Sequence, residues 1–139
     1  GFDSDVVLDL REYTANLSLS RYYDAIGATQ LTAGDRDTVA GHTVIDSIAA
    51  IQRFSSDEFY NLYGRSTNRA LVFTNITRGE SPVVAQRIMR PTPNAVVLHG
   101  LDPEDVWEHA VDLARMDGFS LAVTPVGREE LLNRHRDLP

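Results

Sequence analysis

Polar residues that could bind an anion follow three short apolar runs of this chain. The segment after the first run is the most polar: its Arg78 could make a charge-assisted contact, and its Gly79 would let a ligand approach the backbone. Ser81 follows and precedes a proline, a pair typical of a helix N-terminus, whose free N–H groups can hold a phosphate or a carboxylate. In the alternative, structural interpretation, Ser81 only caps its helix and Arg78 points to water.

His99 comes directly after the second apolar run and before Gly100. Its ring could contact a ligand or act as a pH-sensitive group, or it could instead satisfy a neighbouring backbone carbonyl. Thr124 ends the third run. The sequence therefore predicts one set of ligand-binding residues: Thr74, Asn75, Thr77, Arg78, Gly79, Ser81, His99, Gly100 and Thr124.

The sequence contains no motif of a known catalytic or metal site. Cysteine is absent, which excludes disulfides, thiolate metal ligands and Cys nucleophiles. The histidines have no metal-ligand spacing, and no Gly-x-Ser-x-Gly nucleophile motif occurs. We therefore predict no catalytic residues, no metal and no cofactor.

The three apolar runs are the elements that must position the candidate residues. They lie at residues 70–73, 95–98 and 119–123, and they lack the polar alternation of a half-exposed strand. Such runs are typical of strands buried on both faces of a parallel sheet, and open parallel sheets bind ligands beyond the carboxyl ends of their strands. Helical patterns alternate with the runs. The sequence thus predicts an α/β domain of three layers, with a mainly parallel sheet and helices on both faces.

Capping residues mark the predicted helices. Ser18 precedes a short amphipathic pattern and Gly27 follows it, as expected for a cap and a stop. Asp102, followed by a proline and two acids, predicts the start of a helix that Gly118 ends. A last helix is predicted over residues 129–135.

Two earlier segments fit more than one structure. Residues 6–8 could form a strand or begin a helix. In residues 39–51, Val44, Ile48 and Ile51 fit one face of a helix, whereas residues 43–45 fit a strand. The sequence leaves both alternatives open.

Composition and charge describe an acidic protein with a single core. The chain has 139 residues and a formal charge of −7 at pH 7, and we expect one domain over residues 1–139. No clustered cationic face is visible, so no nucleic-acid partner is expected. No apolar segment approaches the roughly 18 residues of a membrane span, so we expect no membrane partner and a cytoplasmic location. Because Gly1 stands where a native start has Met, we expect a fragment or regulatory domain of a longer protein.

The order of the elements and two turns carry a family resemblance. A brief strand is predicted at residues 29–32, and it ends in the sequence Leu31-Thr32-Ala33-Gly34-Asp35. After the second buried strand comes the turn Leu98-His99-Gly100-Leu101, in which Gly100 is the matching residue. This arrangement resembles the DRTGG domain and the related N-terminal domain of HPr kinase/phosphorylase. The resemblance covers residues 17–135 and leaves residues 1–16 as an N-terminal extension.

The resemblance implies a non-catalytic regulatory domain, often attached to a P-loop, CBS or transferase domain and often self-associating. We therefore expect a domain that binds a small anionic ligand, such as a nucleotide, or a partner domain at the carboxyl edge of the sheet. A homodimer is also expected. Its interface is predicted to use four aromatic residues: Tyr22, Tyr23, Phe59 and Tyr60.

Two other functions fit the same residues. One is a small flavodoxin-like enzyme that uses Thr74, His99 and Thr124. The other is a dimerisation or assembly domain that binds no ligand.

Overall fold

A computed structural model describes residues 6–49, 68–74 and 92–138, which contain one six-stranded sheet. Its strands are β1 (Val7–Ser18), β2 (Thr29–Thr32), β3 (Thr38–Asp46), β4 (Ala70–Thr74), β5 (Ala95–His99) and β6 (Ser120–Thr124). The strand order is β1-β3-β4-β5-β6-β2. Strands β3 to β6 run parallel, whereas β1 pairs antiparallel with β3 and β2 antiparallel with β6. The predicted α/β class is confirmed, with antiparallel strands added at both edges.

The central strands are buried along their whole length. Every residue of β4, β5 and β6 is buried, as their continuous apolar sequences predict. Successive side chains of a strand point to opposite faces, and they belong here to two separate core clusters. In β5, Val96 and Leu98 belong to the first cluster, and Ala95 and Val97 belong to the second.

Three helices are described in full: α1 (Leu19–Ile26), α2 (Glu108–Asp117) and α3 (Arg128–Arg136). The predicted boundaries of α1 are confirmed, because the Ser18 hydroxyl accepts a hydrogen bond from the Arg21 N–H at 3.3 Å and Gly27 adopts the left-handed conformation, with φ 70°. Within the described ranges, no helix has the length and apolar character needed to cross a membrane.

The aromatic residues of α1 correct one prediction. Tyr22 and Tyr23 are 0% and 3% exposed and lie in the second core cluster, so the predicted dimer interface is wrong for these two residues. They are buried because the apolar face of α1 packs on the sheet. The other two predicted interface residues, Phe59 and Tyr60, lie outside the described residues.

The helix predicted to start at Asp102 is interrupted. Residues Pro103–Asp105 form a 3₁₀ turn, Asp102 makes no side-chain cap, and Val106 is extended, so α2 starts only at Glu108. The interruption lets Val106 and Trp107 pack against the first core cluster. Gly118 ends α2 as predicted, with φ 80°.

The two ambiguous segments are mainly strand. Val7 begins β1, which pairs with β3, so the predicted N-terminal extension over residues 1–16 includes most of an edge strand of the sheet. β3 ends at Asp46, and residues 47–49 are helical. The Asp46 carboxylate accepts a hydrogen bond from the Ala49 N–H at 3.0 Å and so caps this start.

The turn after β2 packs tightly against the end of α2. The Asp35 N–H donates to the Gly118 carbonyl at 2.9 Å. An ideal Cβ placed on Gly34 would lie 2.6 Å from three backbone atoms, the Gly118 O, the Phe119 C and the Ser120 N. The turn that carries part of the family resemblance therefore has a structural role at the amino edge of the parallel strands.

Candidate functional site

The carboxyl edge of the sheet brings part of the predicted site together. Thr74, His99 and Thr124 end three neighbouring parallel strands, and His99 is the register partner of Thr124. Gly100 follows His99, and its N–H donates to the Thr124 carbonyl at 2.8 Å. The remaining predicted residues lie outside the described part of the chain: Asn75, Thr77, Arg78, Gly79 and Ser81.

The two threonine hydroxyls make structural hydrogen bonds. Thr74 Oγ1 donates to the Ile45 carbonyl at 3.1 Å, and Thr124 Oγ1 donates to the Ile26 carbonyl at 3.2 Å. Both threonines are fully buried. Their hydroxyl donors therefore tie β4 to β3 and β6 to the end of α1.

Within the described ranges, one of the two ring nitrogens of His99 makes a hydrogen bond. Nε2 lies 2.7 Å from the Val126 carbonyl oxygen, which can only accept, so Nε2 carries the proton. Nδ1 is then a hydrogen-bond acceptor, and it is buried without a partner among the described residues. Burial lowers the pKa of His99 and nearby Arg128 acts in the same direction, against the effect of the bond to Val126. The bond to a backbone carbonyl is the structural alternative that the sequence left open.

The N-terminus of α3 lies beside His99. Gly127 is the N-cap residue of α3, so the N-cap position supplies no side-chain hydrogen bond to this helix. An ideal Cβ on Gly127 or on Gly100 would meet nothing within 4 Å, so the backbone here borders open space. The edge thus combines uncapped helix N–H groups with room for a bound molecule.

Arg128 is a cation at this edge, among the residues that the structure describes. Its side chain is 47% exposed, and its Nη2 lies 3.8 Å from the Asp46 Oδ2. The first turn of α3 also contains Glu129 and Glu130, and the Glu130 carboxylate pairs with Arg134 at 2.6 Å. Among the described residues, Arg128 has an ion pair but no hydrogen bond, so its guanidinium donors remain available to a ligand.

Three residues of this edge were not predicted from the sequence: Arg128, Asp46 and Ser47. Ser47 follows β3, and its buried Oγ has no hydrogen-bond partner in the part of the chain that the structure describes. An arginine directly after Gly127 at the start of a helix was the available sequence signal for Arg128. Asp46 and Ser47 lie at this edge because β3 ends at Asp46. The pattern of residues 39–51 fits both a helix and a strand, so the end of β3 could not be predicted from it.

His42 belongs to a second polar cluster, away from the carboxyl edge. It is fully buried in β3. Its Nε2 lies 2.6 Å from the Asp9 Oδ2, and its Nδ1 lies 2.7 Å from the Tyr13 hydroxyl. The carboxylate must accept from Nε2–H, and the tyrosine hydroxyl then donates to Nδ1. Both ring nitrogens are satisfied when His42 is neutral.

His135 of α3 packs against His42, with ring centroids 4.5 Å apart. Its Nδ1–H donates to the Leu131 carbonyl at 2.8 Å, and its Nε2 accepts from the Tyr22 hydroxyl at 2.7 Å. Burial, assisted by His42, lowers the pKa of His135 to about 4. Burial also lowers the pKa of His42, against the raising effect of Asp9. The pair is therefore neutral in the folded protein near pH 7, as expected of a structural cluster.

The histidine pair predicts acid sensitivity of the fold. The folded-state pKa of His135, about 4, lies below its ordinary value of 6.5, so below that value the unfolded chain binds more protons than the folded one. The free energy of unfolding should therefore be highest above about pH 6.5 and fall by about 3 kcal/mol as the pH drops to 4. Urea denaturation at a series of pH values measures this slope.

Two variants test whether the histidine pair causes the slope. His135→Gln should flatten the pH dependence because it removes the group that takes up the proton. His109→Gln is the matched control, since the His109 side chain is 60% exposed and lies outside the pair. Equal slopes in His135→Gln and in the unmodified protein would contradict the assignment.

The described residues contain no group of three His, Cys, Asp or Glu that could hold a metal ion. In the described part of the chain, the carboxyl edge instead provides the cation Arg128, the N-terminus of α3 and the imidazole acceptor of His99. The cation and the helix N-terminus can bind an anion, and the imidazole acceptor can bond to a donor group. A nucleophile with an adjacent base is not found among the described side chains of this edge.

Sequence comparison relates the chain to two archaeal proteins, although no family model matches it. A protein of Archaeoglobus fulgidus named as an uncharacterized HTH-type transcriptional regulator is 42% identical over 134 residues, which cover 96% of this chain and 58% of that protein. The uncharacterized HTH-type transcriptional regulator MJ1545 of Methanocaldococcus jannaschii is 37% identical over 133 residues, or 95% of this chain and 55% of that protein. The chain thus spans little more than half the length of these relatives. Their names do not support the expected absence of a nucleic-acid partner.

Structure comparison relates the chain to a regulatory region of known structure. The crystal structure of the CBS and DRTGG domains of Clostridium perfringens pyrophosphatase, complexed with the activator diadenosine tetraphosphate, matches with a TM-score of 0.62. The match has 13% sequence identity and covers 88% of this chain and 47% of that one. It supports the predicted resemblance at the level of the fold alone.

Proposed function

We propose that the chain is a non-catalytic regulatory domain that senses a small anionic ligand at the carboxyl edge of its sheet, between β5 and β6. In this proposal it is one part of a longer cytoplasmic transcriptional regulator. The names and greater lengths of the two archaeal relatives support the regulatory role. The fold of the pyrophosphatase regulatory region, whose structure contains a nucleotide activator, supports it independently.

The proposed location of the site is supported by the directions in which the chain leaves β5 and β6. After β5 the chain enters α2, whose Ala110 and Ala114 belong to the first core cluster. After β6 it enters α3, whose Leu131 belongs to the second cluster. We infer three layers with helices on both faces, so the two connections leave the sheet toward opposite sides. Ligands of open α/β sheets bind in the crevice that such a divergence creates.

The groups around this crevice suit an anion. The uncapped N-terminus of α3 offers backbone N–H groups, and Arg128 offers a charged, planar set of donors. Asp46 occupies the neighbourhood of Arg128 at 3.8 Å, a separation longer than a hydrogen bond. A ligand with a phosphate or carboxylate would therefore compete with Asp46 for the guanidinium. Nucleotides, phosphates and carboxylates are the ligand classes we propose.

The DNA-binding function belongs, in this proposal, to a helix-turn-helix domain outside the chain. The formal charge of −7 argues against direct contact of this domain with DNA, since phosphate neutralisation needs a basic surface. We therefore propose that the attached domain binds DNA, in place of the P-loop or transferase domain that the family resemblance implied. Ligand binding would then bias the regulator between two states by its different affinity for each. Self-association remains a prediction.

A thermal-shift screen tests the proposed function, because a ligand that binds only the folded state raises the melting temperature. The panel should contain inorganic phosphate, acetyl phosphate, simple carboxylates and nucleoside mono-, di- and triphosphates. We expect at least one anion to stabilise the domain. Arg128→Gln should weaken that ligand by about 1.5–3 kcal/mol, the usual contribution of a hydrogen bond to a charged group.

The ligand-free stability of Arg128→Gln should change little, because an exposed ion pair contributes about 0–1 kcal/mol. Arg115→Gln is the matched control: Arg115 is exposed in the last turn of α2, at the opposite edge of the sheet. It should leave the ligand affinity unchanged. Failure of every anion to stabilise the domain, or equal effects of the two arginine variants on affinity, would contradict the proposed site.

A further inference from the structure

The unpartnered nitrogen of His99 restricts what the ligand can be. His99 is only 9% exposed, and its Nδ1 is a buried acceptor with no donor among the described residues. A buried acceptor without a partner destabilises the protein, so a donor supplied by a ligand would be recognised strongly. The dianion of a simple alkyl phosphate has only acceptor oxygens and serves this nitrogen poorly.

His99 and the proposed anion site lie on the same connection of the chain. The ring is held by the carbonyl of Val126, one residue before the N-cap Gly127, at 2.7 Å. Arg128, two residues after Val126, is close enough to affect the titration of His99. The imidazole of His99 and the N-terminus of α3 therefore lie at the same short connection, from Val126 to Arg128.

We propose that the ligand donates a hydrogen bond to the Nδ1 of His99 while its anionic group lies at Arg128 and the N-terminus of α3. This inference rests on the proposed function and narrows its ligand to an anion that carries a hydroxyl or N–H donor beside the charge. A nucleotide and a small phosphorylated polyol share this chemistry. An anion without a donor could contact Arg128 and the N-terminus of α3 but could not bond to the Nδ1 of His99.

Access to the ring requires a local rearrangement. Because Nδ1 is enclosed in the ligand-free structure, the donor reaches it only when the adjoining connection moves. The segment after Gly100 suits this movement: Gly100 itself borders open space, and residues 102–105 are exposed. Ligand binding would then change the position of the β5–α2 connection, which gives the domain two states for a sensor to distinguish.

Calorimetric titration with a matched pair of probes tests the inference. At about pH 8 the phosphates of glycerol 3-phosphate and n-propyl phosphate are both dianions without a P–OH group. The two molecules have a similar size, but only glycerol 3-phosphate carries hydroxyl donors. Adenosine 5′-monophosphate tests whether the ligand is a nucleotide, and glycerol 3-phosphate tests whether it is a small phosphorylated polyol. We expect glycerol 3-phosphate or adenosine 5′-monophosphate to bind about ten-fold more tightly than n-propyl phosphate.

Two substitutions separate recognition from stability. In His99→Gln the amide N–H can still donate to Val126, but no acceptor lies at the Nδ1 position. The difference in affinity between the probes with donors and n-propyl phosphate, here called the affinity gap, should therefore disappear with little change in Tm. His99→Asn places an amide near Nδ1 but loses the bond to Val126, so part of the gap should survive while Tm falls. This opposite response would not follow from a merely structural histidine.

The possible outcomes distinguish the two proposals. Equal affinities for glycerol 3-phosphate, adenosine 5′-monophosphate and n-propyl phosphate, unaffected by His99→Gln, would overturn this inference and leave the anion site standing. A gap that persists in His99→Gln would also overturn it. Failure of all three probes to bind would overturn the inference, and failure of every anion in the thermal-shift panel as well would overturn the proposed function.

Discussion

The Val97→Asp variant is expected not to fold cooperatively. Val97 is 0% exposed in β5, and its register partners are Val72 of β4 and Ala122 of β6. The substitution places a carboxylate in the second core cluster, among hydrophobic side chains. The penalty for an unpaired buried charge is several kcal/mol, a large part of the roughly 5–15 kcal/mol that stabilises a domain. Thermal denaturation followed by circular dichroism measures the loss.

Met116→Glu is the control for this charge insertion. Met116 is 70% exposed on α2, so a carboxylate there stays in water and the melting transition should remain cooperative. A Val97→Asp protein that melts cooperatively near the temperature of the unmodified protein would contradict the assignment of β5 to the centre of the sheet.

Gly34→Ala is expected to lower the free energy of unfolding by about 1–3 kcal/mol or more, as overpacked sites do. Its new methyl group would lie 2.6 Å from backbone atoms of Gly118, Phe119 and Ser120. Backbone atoms cannot rotate away as a flexible side chain can, so the turn after β2 would have to separate from β6. Equilibrium urea denaturation gives the change.

Gly127→Ser is the matched control, because a Cβ at Gly127 meets nothing within 4 Å and its φ of −62° is open to any residue. A serine at this N-cap should leave stability unchanged or raise it slightly. If the urea midpoint of Gly34→Ala equals that of Gly127→Ser, the close approach at Gly34 is not a real constraint on the fold.

Local sequence signals were sufficient for the centre of the fold. β4, β5 and β6 could be predicted because they are buried on both faces and their sequences are continuously apolar. α1 could be predicted because Ser18 and Gly27 mark its ends chemically. β1 could not, since an edge strand with irregular pairing gives no regular alternation.

Residues paired over long sequence distances could not be predicted. Tyr22 bonds to His135, 113 residues further along the chain, and neither residue carries a local sign of the other. At the carboxyl edge, the strand ends correctly placed His99, Gly100 and Thr124 together. The bond of His99 to Val126 and the proximity of Arg128 to Asp46 depend on how the two connections fold over the edge, which no local pattern encodes.

The most direct test of the ligand-sensing proposal is to map where an anion binds. Amide chemical shifts of the nitrogen-15-labelled domain should be followed during titration with the strongest ligand of the thermal-shift screen. The proposal predicts that the largest changes occur at Gly100, Leu101 and residues 126–129, around the crevice between β5 and β6. Changes concentrated instead at the amino edge, around Gly34 and Gly118, or absent from residues 126–129, would contradict it.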